Sequence, residues 1–216
     1  MLKNYEKLPN GVIKQKKIIN KLPDYDKKYV DDRYNTYGEK GMQMAYLRYG
    51  YMRGVINNID IRSILDVGYG NGDFMRVCAN SMPVVDGFDI SNYTVPKGCK
   101  KVDSMFNKEY DVVCFFDSLE HFEDINFIKD LNTKYVYISL PLCHYFSDEW
   151  FKNWKHRRED EHLFHFDVYS LQKFMDEQGF NWITGSHIED NIRKPVDEFP
   201  NILTAIFERE NIFALD

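Results

Sequence analysis

The chain lacks the hydrophobic runs that mark membrane and exported proteins. None of its 216 residues belongs to an apolar stretch near the roughly 20 residues that a membrane-spanning helix needs. The first residues, Met1 to Tyr5, also lack the apolar segment of a secretory signal peptide. From these absences we expect a cytoplasmic protein without a membrane partner.

Cysteine is scarce, and its spacing argues against the usual cysteine frameworks. The four cysteines are far apart and include no Cys-x-x-Cys pair; they are Cys78, Cys99, Cys114 and Cys143. In a cytosolic chain of this length, such spacing predicts separate buried thiols and neither a disulfide network nor a zinc knuckle.

Positive charge is in deficit, with 28 Lys and Arg against 34 Asp and Glu and a net charge of −6. This balance argues against a surface that wraps duplex nucleic acid, although it allows a local basic patch.

Hydrophobic residues make up 44% and charged residues 29%, as in a folded globular protein. The length fits one domain with an appendage. We expect an irregular, lysine-rich N-terminal arm over 1–38 and a single domain over 39–216.

Short apolar runs alternate with helix-like segments along the predicted domain. Apolar residues at helical spacing predict a helix over 39–59. Strands are predicted at 63–67, 84–88, 111–116, 135–140, 181–187 and 202–208, and further helices at 73–80, 123–131 and 167–178, the last with Asp167 as N-cap. Strands that alternate with helices predict a parallel sheet, whose ligands bind beyond the carboxyl ends of the strands.

Two motifs stand at those predicted carboxyl ends. Gly68, Gly70 and Gly72 follow the first strand at alternate positions, which lets the backbone turn sharply and approach a ligand closely. The dinucleotide fingerprint would need a third glycine at the position of Asp73. Asp89 follows the second strand, where a carboxylate can accept hydrogen bonds from the two hydroxyls of a ribose. A glycine-rich turn without a ligand is the alternative interpretation.

Taken in order, these segments resemble the class I S-adenosylmethionine-dependent methyltransferases. The resemblance covers about residues 61–209. It is carried by L-D-V-G-Y-G-N-G-D at 65–73, G-F-D-I-S at 87–91, Y-D-V-V at 110–113 and D-S-L-E-H at 117–121. It implies an α/β, Rossmann-like fold: a seven-stranded, mostly parallel sheet with helices on both faces and an antiparallel last strand.

The resemblance also implies S-adenosylmethionine as the cofactor and a set of residues that bind it. The implied set is Asp66, Gly68, Tyr69, Gly70, Gly72, Asp89, Ile90, Asp103, Asp117 and Ser118. Asp66 and the glycines would hold the methionine part, and Asp117 would line the site near the sulfonium. Asp89 would bind the ribose, and Ile90 and Asp103 would contact the adenine. The segment between Asp89 and Asp103 is short, so we expect the family's helix there to be shortened or lost.

A long insertion follows the strand predicted at 135–140. Residues 141–166 exceed the usual connection of about 2–6 residues, which predicts a lid over an acceptor site. The predicted domain thus comprises a helical lead-in (39–60), a cofactor-binding half (61–140), the lid (141–166) and a C-terminal helix with strands (167–216).

The lid carries basic and aromatic side chains that suit an anionic ligand with a ring. We expect acceptor contacts from His121, Trp150, Trp154, Arg157 and Arg158. The alternative is a solvated turn in which the basic residues pair with the acidic run at 159–161.

Three lid histidines, His144, His162 and His165, are candidates for a catalytic general base, because an imidazole titrates near neutral pH. Packing and a metal site are the alternatives. No acidic residue stands at a fixed spacing from them, and we expect no metal ion. Cys143 could be a nucleophile, although a thiol packed beneath the lid is the preferred interpretation.

The sequence therefore predicts a methyltransferase that moves a methyl group by in-line displacement. The predicted acceptor is an oxygen or nitrogen, or a carbon, of a small anionic molecule such as a nucleotide, a sugar-nucleotide or a glycan precursor. One alternative is a nucleic-acid methyltransferase, with the arm and the lid on the phosphate backbone. Two others are a nicotinamide-binding oxidoreductase and a non-catalytic protein that binds the cofactor and docks a partner through the aromatic lid.

Overall fold

A mixed sheet forms the centre of the computed structural model, which describes residues 1–20, 38–56, 61–194 and 198–210. The strands are β1 (Tyr5–Lys7), β2 (Ile13–Gln15), β3 (Ser63–Val67), β4 (Val84–Phe88), β5 (Lys100–Lys101), β6 (Tyr110–Phe116), β7 (Thr133–Pro141), β8 (Phe164–His165), β9 (Phe180–Ser186) and β10 (Ile202–Arg209). The helices are α1 (Glu39–Val55), α2 (Asp73–Cys78), α3 (Asp148–Asn153), α4 (Val168–Glu177) and α5 (Asp190–Arg193), with 3₁₀ turns at Leu119–His121 and Asn126–Asp130.

Seven strands form the main sheet in the order β5-β4-β3-β6-β7-β10-β9. Strands β3 to β7 pair in parallel, and β10 lies antiparallel between β7 and β9. The predicted fold class is therefore confirmed, including the antiparallel last strand. Because the parallel strands share one direction, the residues that follow β3, β4 and β6 meet at one edge of the sheet.

Helices cover both faces of the sheet because its central strands are apolar on both sides. Neighbouring residues of a strand point to opposite faces. Leu65 of β3 accordingly packs in the same cluster as Phe174 of α4, whereas Ile64 packs in the cluster of Phe74 of α2. Among the described residues, no helix has both the length and the apolar character that crossing a membrane requires.

Helix α4 begins as the sequence predicts. The Ser170 N–H donates to Asp167 Oδ1 at 2.6 Å, and the Asp167 N–H donates to Ser170 Oγ at 2.9 Å. This reciprocal capping box satisfies donors that the first helical turn leaves free. After the helix, Gly179 has a φ of +80°, a conformation in which glycine carries no steric cost.

The predicted irregular arm is wrong over residues 1–20. Strands β1 and β2 form an antiparallel hairpin, and β2 pairs with β8 at the end of the lid. The N–H groups of Ile19 and Asn20 donate to the carboxylate of Asp160 at 2.8 and 2.9 Å. The arm is thus built into the lid by long-range pairing, which local composition cannot reveal. Residues 21–37 lie outside the described part, and the domain boundary at 38 stays a prediction.

The helix predicted over 123–131 is replaced by the 3₁₀ turn Asn126–Asp130. The Asp124 carboxylate accepts from the backbone N–H of Asn126 at 2.9 Å, a local bond that competes with helical pairing. The helix predicted over 39–59 ends at Val55, and its last residues from 57 onward lie outside the described part. The chain from 89 to 99 contains no helix, as the short spacing predicts.

Candidate functional site

A cavity of about 660 Å³ opens at the carboxyl ends of β3, β4 and β6. We call it the central cavity. One part of its wall comes from the segments that follow these strands, and the other part from α1, α5 and the lid. Its size lies in the range of small-molecule and cofactor sites.

The glycine loop after β3 shapes one wall of the central cavity. Gly68 has a φ of +77°, and its N–H donates to the carbonyl of Phe88 at 2.7 Å. A Cβ at this position would lie 2.7 Å from the Cβ of Ser118, which is closer than two carbons can pack. Both the turn and the close approach to the segment after β6 therefore require glycine here.

Asp89 follows β4 and ties this loop to the neighbouring strand. Its Oδ2 accepts from the Gly70 N–H at 3.0 Å, and its Oδ1 accepts from the Ser91 N–H at 2.7 Å. A carboxylate has about four acceptor positions, so the carboxylate can accept further hydrogen bonds from a ligand. The next residue, Ile90, lines the same cavity with 74% of its surface exposed, which offers an apolar contact to a flat ring.

Asp66 lies at the base of the central cavity and is only 3% exposed. Burial raises the pKa of its carboxyl from 3.8 to about 7, because the charged form loses hydration. The cation of Arg48 opposes this rise, and the nearby Asp89 carboxylate adds to it. Asp66 is therefore a carboxyl group that changes charge near neutral pH.

Two arginines and two acids form a network that includes the cavity residues Arg48, Asp117 and Arg193. Arg48 donates to Glu189 through Nε at 2.6 Å and through a second nitrogen at 3.0 Å. Arg193 donates to both carboxylate oxygens of Asp117 and also lies 2.9 Å from Glu189. Burial disfavours the charge of Glu189, but the two guanidinium groups outweigh it and hold the pKa below its usual value. The network fixes charged side chains that would otherwise be costly to bury.

Asp117 stands at the point where β6 ends. Its φ is +51°, a region that non-glycine residues rarely adopt, and such strain is concentrated at functional sites. The two bonds from Arg193 hold the side chain in place against the cavity. The strained backbone thus holds a fixed carboxylate in the lining of the central cavity.

The lid reaches the central cavity through Lys155 and His156. His156 Nε2 lies 2.9 Å from Asn201 Oδ1, another cavity residue. Burial lowers the pKa of His156 to about 4, and the hydrogen bond to Asn201 only partly offsets this effect. His156 is therefore a neutral imidazole at neutral pH, suited to hydrogen bonding.

The sequence-predicted cofactor residues mostly converge on the central cavity. Those that line it are Asp66, Gly68, Tyr69, Gly70, Asp89, Ile90, Asp117 and Ser118. Gly72 is outside this lining, and a Cβ there would be 2.7 Å from Cδ of Pro96. Asp103 is exposed and outside the cavity lining.

Of the predicted acceptor residues, only His121 lines the central cavity. Trp150 and Trp154 stack on each other at 5.4 Å, outside the lining. Arg158 pairs with Glu161 at 2.7 Å and Arg157 lies 3.7 Å from Glu159. These ion pairs are those of the alternative interpretation, but the turn is not solvated throughout, because Asp160 is buried and accepts from the N-terminal segment.

The three predicted base candidates all lie outside the cavity lining. His165 packs against the rings of Tyr5 and Phe151 at 5.8 and 5.1 Å, and burial lowers its pKa to about 3. His144 Nε2 lies 2.7 Å from the carbonyl oxygen of Pro200. His162 is 3% exposed, and burial lowers its pKa well below the usual value. Cys143 is also buried, and burial raises its pKa to about 12, so it is a poor thiolate nucleophile.

Comparison with known protein families identifies the family of this chain. The family described as "Methyltransferase domain" matches residues 25–184, which is most of the chain. The chain belongs to the methyltransferase-domain family. This agrees with the resemblance that the glycine loop and the strand-end motifs carry.

Solved structures share the fold at low sequence identity. An S-adenosylmethionine-dependent methyltransferase of Clostridium acetobutylicum is 11% identical, with a TM-score of 0.58 over 82% of this chain and 99% of that chain. Magnesium protoporphyrin IX methyltransferase of Synechocystis, with bound SAH, is 17% identical, with a TM-score of 0.52 over 86% and 100%. A plantazolicin methyltransferase with SAH is 13% identical, with a TM-score of 0.54 over 85% and 90%. No curated protein sequence matches the chain significantly.

Several cavity residues have no strong signal in the sequence. Arg48 lies on a predicted helix, and the sequence pattern does not distinguish it from an ordinary surface arginine. Arg193 lies in a short helix that periodicity does not predict. Lys155 and His156 belong to the predicted basic lid, but nothing in the run distinguishes them from their neighbours. Their shared position is a result of the fold.

Proposed function

We propose that this methyltransferase moves a methyl group from S-adenosylmethionine to an oxygen or nitrogen of a small anionic acceptor. A nucleotide, a sugar-nucleotide or a glycan precursor has the required charge and size. The observation that carries the proposal is that two groups of residues line the central cavity. One group, which we call the cofactor end, is the loop after β3 with Asp89, and the other, which we call the acceptor end, is the set of basic side chains from α1, α5 and the lid.

The cofactor end fits S-adenosylmethionine. Ser118 Oγ is buried at this cavity and has no hydrogen-bond partner among the described residues, so a polar ligand would satisfy it. Asp89 would accept from the ribose hydroxyls while it keeps its bonds to Gly70 and Ser91. The exposed Ile90 would pack against the adenine.

When bound, S-adenosylmethionine supplies a methyl group on a positively charged sulfur, which is displaced in line by the acceptor atom. Such a transfer depends on alignment more than on a catalytic triad. Asp66 and Asp117 line the cavity with carboxyl groups, which would stabilise cationic groups of the cofactor. Arg193 would keep Asp117 oriented through its two hydrogen bonds.

The acceptor end suits a negatively charged acceptor. Lys155 and His156 come from the lid, and Arg193 comes from α5. The Lys155 ammonium can bind a phosphate or a carboxylate, and the neutral His156 adds a hydrogen-bonding group, while Arg193 stays paired with Asp117 and Glu189. We therefore assign to Lys155 and His156 the acceptor contact that the sequence predicted for Arg157 and Arg158.

The test uses transfer of a labelled methyl group to a panel of nucleotides, sugar-nucleotides and short oligonucleotides. For an acceptor found in this way, Lys155→Ala should raise KM roughly 10-fold, as the loss of a charged hydrogen bond of about 1.5 kcal/mol predicts. Affinity for S-adenosylhomocysteine should stay unchanged. Lys152→Ala is the matched control, because Lys152 is an exposed lysine of the same lid outside the cavity lining.

Two results would contradict the proposal. Equal KM values for the Lys155→Ala and Lys152→Ala variants would remove Lys155 from the acceptor site. Methylation of oligonucleotides without any methylation of small anionic molecules would instead favour the nucleic-acid alternative.

A further inference from the structure

A cluster of three potential metal ligands lies beside the central cavity. Glu120 and His121 belong to the 3₁₀ turn after β6, and His162 belongs to the end of the lid. Each offers one ligand atom, and the three atoms lie within 4.8 Å of one another. Glu120 and His162 are 2% and 3% exposed, so the cluster is largely shielded from solvent.

The backbone holds the two halves of the cluster together. The Leu163 N–H donates to the carbonyl of Glu120 at 2.8 Å, which joins the end of the lid to the 3₁₀ turn. The rings of His121 and His162 meet nearly at a right angle, with centroids 4.6 Å apart. Two imidazoles and a carboxylate are therefore brought together by the fold.

His162 carries the second observation that points to a ligand. Its Nε2 is buried and has no hydrogen-bond partner among the described residues. A buried polar atom without a partner has lost its hydrogen bonds to water, and no hydrogen bond within the protein replaces them. Such atoms are rare in native proteins. A bound ion is a ready explanation for a buried histidine beside a carboxylate and a second imidazole.

We propose that Glu120, His121 and His162 bind a divalent first-row transition metal ion of the Zn²⁺ type. Two imidazoles with one carboxylate form a donor set that suits such ions. Mg²⁺ and Ca²⁺ prefer oxygen ligands and fit the two imidazoles poorly. Three protein ligands leave a coordination position open, and His121 also lines the central cavity, so the ion lies at the cavity wall.

The bound ion also fastens the lid. His162 stands beside β8, whereas Glu120 and His121 follow β6, so one ion links two segments that are distant in sequence. An ion that binds only the folded protein raises its stability by mass action. Metal binding should therefore be visible in thermal unfolding as well as in direct titration, and neither measurement requires a known acceptor.

The experiment uses the full chain without an affinity tag, stripped with a chelator and then titrated with Co²⁺ and Zn²⁺. Calorimetry should show one site, Co²⁺ should give a visible d–d absorption, and Zn²⁺ should raise Tm. His162→Gln should weaken binding at least 10-fold, because even residues that only support a ligand cost about 10–100-fold. His121→Asn, at a half-buried position, is the second variant in case His162→Gln does not fold.

His144→Gln is the matched control, because His144 lies outside the cluster and is held by the Pro200 carbonyl. It should bind Zn²⁺ as the unchanged protein does. The absence of a stoichiometric site in the unchanged protein would overturn the proposal. Equal Zn²⁺ affinity in the unchanged protein and in the folded variants would overturn it too, and would leave His121 and His162 as a packed ring pair.

Discussion

Replacing Asp66 by asparagine should stabilise the protein at pH 8 and have little effect near pH 4. The folded-state pKa of about 7 lies above the unfolded value of 3.8, so folding favours the protonated carboxyl. The stability from this preference is complete below pH 3.8 and is lost as the pH rises through about 7. One pKa unit corresponds to about 1.36 kcal/mol, so the shift corresponds to about 4 kcal/mol.

The assay is urea unfolding followed by tryptophan fluorescence at several pH values between 4 and 8. The informative quantity is the free energy of unfolding of Asp66→Asn minus that of the unchanged protein. Other titrating groups contribute equally to both proteins and cancel in this difference. We expect the difference to grow with pH by up to about 4 kcal/mol, in favour of the variant.

Asp103→Asn provides the control, because Asp103 is an exposed aspartate outside the central cavity. Its difference from the unchanged protein should not follow the same rise. A difference for Asp66→Asn that stays constant from pH 4 to pH 8 would refute the reasoning. The buried carboxyl would then be ionised throughout this range.

Two other substitutions test the ribose contact of Asp89 and the surface ion pair of Arg158. Asp89→Ala should lower the affinity for S-adenosylmethionine roughly 10- to 150-fold in calorimetric titration, because hydrogen bonds to a charged group contribute about 1.5–3 kcal/mol. Unchanged affinity would show that Asp89 does not bind the ribose. Arg158→Ala should cost only about 0–1 kcal/mol of unfolding free energy, since its bond to Glu161 is a partly exposed ion pair. A large rise in the KM for the acceptor in the Arg158→Ala variant would show instead that Arg158 binds the acceptor.

The strands of the sheet and the residues of the cofactor end could be predicted because they depend on local sequence patterns. Strands β3 and β4 have the predicted bounds, because each is a short, mainly apolar run, which favours a strand buried on both faces even with one buried Asp in each. Gly68 and Asp89 stand directly after those strands, so their position along the chain is also their position at the sheet edge. The same rule failed for Asp103, because β5 has only two residues and does not direct it to the cavity.

The acceptor end was hard to predict because it is assembled from distant segments. Arg48, Lys155 and Arg193 lie far apart in the chain and come together only when α1, α5 and the lid pack around β6. The lid histidines show the same limit. Ring packing with Tyr5 buries His165, and the chain from 1 to 20 gives no local sign that it pairs with the lid.

By itself, the sequence determined the class of fold, the methyltransferase family and the segments that form the cofactor end of the site. Periodicity and turn chemistry act between near neighbours, so these features can be read along the chain. The tertiary structure alone decided which charged groups share the cavity, which histidines are buried, and that His162 lies beside Glu120 and His121. Those properties depend on which residues, distant in sequence, are buried next to one another, and only the tertiary packing determines this.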